Sequence, residues 1–103
     1  MTRKELEDLI YRSAGGKAVI QRLWYAGVDV SVMCDEDTLR AILHRSIENS
    51  EWGKATRIIE ALENTTDDTV FVVDDAKGVV DFFNDPEGLF DYVLDEGLVD
   101  VED

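Results

Sequence analysis

The chain has 103 residues, 45% of them apolar, and a formal net charge of −14 from 24 Asp and Glu against 10 Lys and Arg. That length supports one small domain with a modest core, and that apolar content excludes wholesale disorder. No apolar run nears the ~18 residues of a membrane-spanning helix, and the charge-studded N-terminus MTRKELEDLIYRS is unlike a signal peptide.

Thr2-Arg3-Lys4-Glu5 reads as a capping box, with Thr at the N-cap and Glu at N3. Leu6, Leu9, Ile10 and Ala14 follow at helical spacing, and Gly15-Gly16 ends that helix. A second helix is expected over about 17–26, with Val19, Ile20, Leu23 and Trp24 inward and Gly27 as its stop. In VDVSVM the alternation of Val28, Val30 and Val32 with Asp29 and Ser31 predicts a short strand. A third helix starts from Asp35 or Asp37 as cap and points Leu39, Ile42, Leu43 and Ile47 inward. Ser50 is expected to cap a fourth, with Trp52, Ala55, Ile58, Ile59 and Leu62 inward, so that the third and fourth form an antiparallel helical hairpin.

The period then changes. TVFVVD and GVVDFF predict a β-hairpin, with Gly78 in the left-handed position of its turn. DPEGLFDYVLDEG predicts a fifth helix, with Asp85 as N-cap, Pro86 at N1 and Gly97 as stop. The tail LVDVED alternates and admits a short C-terminal strand. The expected fold is α+β in a single domain, 1–103: about four helices over 1–66, then an acidic hairpin, helix and short strand over 67–103.

Charge is concentrated at that acidic end. Residues 1–33 carry +1, residues 34–66 carry −3, and residues 67–103 carry −12, with thirteen Asp and Glu against Lys77 alone. Such a field repels nucleic acid and acidic membranes and attracts basic surfaces. On the fifth helix Glu87, Asp91 and Asp95 fall at i, i+4 and i+8, forming a ridge with carboxylates about 6 Å apart. Like charges at that spacing cost a few tenths of a kcal/mol per pair. Asp95 and Glu96 also sit where the helix dipole disfavours anions. Asp74, Asp75 and Asp81 repeat the theme on the hairpin. The bland alternative is an acidic surface that only confers solubility, but the first third is nearly neutral, unlike a halophilic composition.

Other chemistries are poorly supplied. The EF-hand order of ligands is absent, and Cys34 and His44 are too few for zinc, so no metal and no cofactor is expected. His44 lies between Arg40 and Arg45 on a helix, and the acidic neighbours of Cys34 disfavour a thiolate, so no catalytic residue is assigned and the protein is expected not to be an enzyme. As the only cysteine, Cys34 rules out an intramolecular disulfide and suits a reducing compartment such as cytoplasm. Gly15-Gly16-Lys17 lacks the spacing of a phosphate loop. Arg40, Arg45, Lys54 and Arg57 offer a small basic patch in a winged-helix outline, but the extra helix spoils the order and the wing would be acidic.

In size, cysteine poverty and acidity the chain resembles, as a class, the small anti-defence inhibitors of phages and mobile elements, the anti-CRISPR and antirestriction proteins. The resemblance carries no alignable motif and transfers no residue. It implies a stoichiometric inhibitor in the host cytoplasm that mimics nucleic acid and occupies the basic channel of a nuclease or effector. The residues expected to meet that basic partner are Asp74, Asp75, Asp81, Glu87, Asp91, Asp95 and Glu96, with Tyr92 as aromatic anchor. The rival reading is an acidic adaptor that joins a complex through hydrophobic surface; neither reading excludes a homo-oligomer.

Overall fold

Local signals start most of the helices. In the structure, a computed structural model describing residues 1–13, 15–66 and 68–102, the capping box forms. The Thr2 hydroxyl accepts from the Glu5 N–H and the Glu5 carboxylate accepts from the Thr2 N–H. It opens α1 (Arg3–Tyr11). Then come α2 (Gly16–Tyr25), β1 (Met33–Cys34), α3 (Glu36–Glu48), α4 (Trp52–Leu62), β2 (Val70–Asp74), β3 (Val79–Phe83) and α5 (Pro86–Asp95). Asp35 and Asp85 cap α3 and α5, accepting from the N–H groups of Thr38 and Gly88. The fold is α+β, as the sequence predicts; Ala14, Asp67 and Asp103 lie outside the described residues.

The sheet is antiparallel, in the order β1-β2-β3, and it forms the middle of three layers. Successive side chains on a strand point to opposite faces. Val70 and Val72 therefore join Leu6 and Ile10 of α1, Val19 and Leu23 of α2, and Leu89, Phe90 and Val93 of α5 in one core. Phe71 points the other way and joins Leu39 of α3, Ile58 and Ala61 of α4, and Cys34 in a second core. Burial on both faces explains why VFVV is continuously apolar. Each fully buried Val, Leu, Ile or Phe among them contributes roughly 1.5–3 kcal/mol.

Two predicted features form differently. Only Met33–Cys34 pairs as β1; residues 28–30 have no regular structure and 31–32 form a turn. The Asp29 carboxylate accepts from the Ser31 N–H, and the Val30 carbonyl from the Met33 N–H, so local bonds take up backbone that a ladder would need. The tail forms one parallel bridge, Thr2 to Glu102, rather than a strand.

Ser50 does not cap α4. The N-cap is Glu51, and Ser50 has φ 57°, the left-handed region. The Ser50 N–H donates to the Ile47 carbonyl and the Glu51 N–H to the Ser46 carbonyl. That is the Schellman closure of α3, the same closure that Gly27 and Gly97 give α2 and α5. A serine there carries a steric cost that glycine lacks. Ser50→Gly is expected to stabilise the domain by about 1 kcal/mol, read as a higher Tm or denaturant midpoint.

Several predicted inward residues face solvent. Trp24, Ile47, Trp52 and Ile59 are exposed, and Ser46, not Ile47, takes the buried position on α3, with its hydroxyl donating to the Ile42 carbonyl. Each helix needs a narrower apolar stripe than its sequence offers, because it packs on one sheet face only.

Candidate functional site

The hairpin register sets the geometry of the acidic end. Asp74 pairs with Val79, Val72 with Asp81 and Val70 with Phe83, so Asp74 and Asp81 share the sheet face toward α5. There the Phe83 ring packs on Tyr92, with centroids 5.0 Å apart. Burial first, then the charges of Glu96, Asp74 and Asp81, raise the Tyr92 hydroxyl above the ordinary tyrosine range, and nearby Lys77 opposes them. Lys77 donates to Glu96 at 2.7 Å. Asp74, Asp81, Glu96 and Tyr92 thus come together from hairpin and helix, with Lys77, a cation of the chain itself, among them.

Most of these hairpin carboxylates already have structural work. Asp74 accepts from the N–H groups of Ala76 and Lys77 and shapes the turn. Asp81 accepts from the Phe82 N–H. Asp75 turns away from α5 and pairs with Lys54 of α4 at 2.7 Å, while Arg57 of α4 donates to the Gly78 carbonyl. The turn is therefore held on one side by α4 and on the other, through Lys77, by α5. These exposed pairs are worth about 0–1 kcal/mol each. Tyr92, half-buried against Phe83, serves the packing more than the surface.

The ridge of α5 is different. Glu87, Asp91 and Asp95 are exposed, and none makes an ion pair among the described residues. Across the seam between α1 and α5 stands Tyr11, which is 50% exposed. Its hydroxyl is raised above the ordinary range by desolvation and then by Glu87, Glu7, Asp91 and Asp85. Beneath it a cavity of about 170 Å³ reaches Ile10, Phe83, Asn84 and Leu89. Sequence reasoning missed Tyr11. Its i,i+4 spacing from Glu7 is a faint signal, but nothing local says that α5 will lie beside α1.

The acidic end is thus two groups: a sheet-side group internally neutralised in part by Lys77 and Lys54, and a seam group around Tyr11. Among the described residues no three His, Cys, Asp or Glu side chains converge closely enough to hold a metal ion. The carboxylates are spread along a surface.

Elsewhere, the start of α2 has its anion already: the Gly15 N–H donates to the Asp68 carboxylate at 2.9 Å. Cys34 is buried, and burial, followed by the charge of Asp35, pushes its thiol up to about 12. A thiol that stays protonated at neutral pH is a poor nucleophile. His44 is exposed on α3. No helix among the described residues is long and apolar enough to cross a membrane.

The chain matches no protein-family model, no curated protein and no solved structure.

Proposed function

We propose that this protein is a stoichiometric, non-catalytic inhibitor that binds the basic, nucleic-acid-binding surface of a nuclease or effector, in the manner of the anti-CRISPR and antirestriction proteins. The observation that carries the reading is the seam group. Glu87, Asp91 and Asp95 run along α5 without an ion-pair partner among the described residues, and the charges of Glu87, Glu7 and Asp91 act on a half-exposed Tyr11. Carboxylates about 6 Å apart along a helix suit Arg and Lys groups placed to meet the phosphates of a strand. Tyr11 supplies a rigid aromatic on which a guanidinium stacks. The sheet-side carboxylates Asp74, Asp75, Asp81 and Glu96 extend the surface once Lys54 and Lys77 give way to the partner's cations.

A second reading rests on Trp24, Tyr25 and Trp52, which are 62%, 74% and 60% exposed. On that reading the protein is an adaptor that docks through aromatic surface, and its charge serves solubility.

Ionic strength separates the two. The immobilised protein is incubated with bacterial lysate at salt between about 0.01 M and 0.15 M, over which the Debye length falls from about 30 Å to about 8 Å. Mimicry predicts retention of nucleic-acid-binding proteins that falls steeply with salt and is competed by added DNA or RNA. Partners that stay bound at the higher salt and ignore nucleic acid would establish the adaptor reading instead.

A further inference from the structure

The face formed by α1 and α2, away from α5, has no role in the proposed inhibition. Tyr25 stands on it and Trp24 stands beside it, toward β1, with ring centroids 5.2 Å apart and most of their surface in solvent. Trp24 walls a groove of about 380 Å³ that Ile20, Val30 and Met33 line. Tyr25 walls a wide, shallow concavity on the other side, with Leu9, Glu5, Asp8, Arg12 and Arg22 around it. Two adjacent exposed aromatics between an apolar groove and a charged rim have the composition of an interface core.

Charge decides what fits there. Arg12, Arg22 and Asp8 make no ion pair among the described residues, and Glu5 spends one carboxylate oxygen on the capping box. The rim of the concavity therefore offers two cations and two anions, in a segment whose net charge over 1–33 is +1. We propose that this face binds a second copy of the chain across a twofold axis. An isologous contact demands a surface complementary to itself. In the proposed dimer the axis passes near Tyr25, and Arg22 and Arg12 of one protomer pair with Asp8 and Glu5, respectively, of its partner. A dimer of two −14 chains also needs a face where carboxylates do not meet carboxylates, and the sheet-side and seam groups exclude α5 and the hairpin.

Sedimentation velocity on the full chain at 0.15 M salt, from about 1 to about 200 µM, tests this against a dissociation constant in the micromolar range. The wild type is expected to convert from monomer to dimer within that range. Tyr25→Glu, at an exposed position, is expected to weaken dimerisation at least about 100-fold by placing a charge at the apolar centre. Arg22→Glu and Asp8→Arg should each be monomeric alone, because each sets like charges against one another twice. Their equimolar mixture should dimerise, because a heterodimer restores both pairs. A wild type that stays monomeric throughout overturns the proposal, and so does a dimer that survives Tyr25→Glu. Variants that remain monomeric when mixed overturn the pairing across the twofold axis.

Discussion

Replacing Gly16 by Ala is expected to cost at least about 3 kcal/mol, although the change adds a single methyl at a helical position. A Cβ on Gly16 would lie 2.1 Å from the Thr69 carbonyl oxygen and 2.9 Å from its carbon. Both are backbone atoms, so no side chain can swing aside. α2 or the start of β2 has to move, and Thr69 is held in place. Its buried hydroxyl donates to Asn84 and accepts from the Thr66 N–H, and the Asn84 amide donates to the Asn64 carbonyl. Gly53→Ala is the matched control. Its nearest neighbour is the flexible end of Arg57, 4.0 Å away, and helix propensity there favours Ala by roughly 0.5 kcal/mol. Denaturant melts of the two variants should move in opposite directions. A Gly16→Ala protein as stable as wild type would mean that α2 does not approach β2 this closely.

The second large effect is on binding. Glu87→Gln with Asp91→Asn removes two charges from the seam while keeping side-chain size. Affinity for the basic partner is expected to fall by roughly 1–3 kcal/mol for each charge matched by an Arg or Lys, a combined loss of more than tenfold. Stability should stay nearly level. Losing the i,i+4 repulsion gains a few tenths of a kcal/mol, and losing Glu87 from the N-terminal turn of α5 gives up a similar amount. The control Glu48→Gln with Glu60→Gln removes the same net charge from the exposed faces of α3 and α4. It should weaken binding only through the overall field, and that part should vanish at higher salt. Titration calorimetry and a melt on the same preparations read both quantities. Equal losses from the two double variants would show that net charge matters and the seam does not.

The element boundaries that were legible are those written in local chemistry. The capping box at Thr2 and Glu5, the caps Asp35 and Asp85, Pro86 at N1, and Gly27, Gly78 and Gly97 in left-handed positions are all as read. Each depends on backbone groups within a few residues, and the side chains that satisfy them are adjacent in sequence. The failures are places where one local signal outcompetes another. VDVSVM alternates like a strand, but Asp29 bonds two residues ahead and the ladder begins only at Met33. Ser50 has the composition of an N-cap, but the Schellman closure of α3 claims it first.

The candidate surface divides the same way. Its charge and the α5 ridge follow from spacing alone, since an α-helix places i, i+4 and i+8 on one face whatever surrounds it. Which carboxylates remain unpaired is decided by chain segments far apart in sequence: Lys54 reaches Asp75, Lys77 reaches Glu96, and α1 brings Glu7 and Tyr11 to Glu87 and Asp91. Exposure of Trp24 and Tyr25 depends equally on which stripe of α2 the sheet covers. The sequence by itself determined most of the elements, the capped ends among them, and the placement of charge along them, because those are short-range properties of a hydrogen-bonded chain. The tertiary structure decided pairing, exposure and the meeting of α1 with α5. Those depend on how two cores are filled on the two faces of one sheet, and no local pattern encodes that.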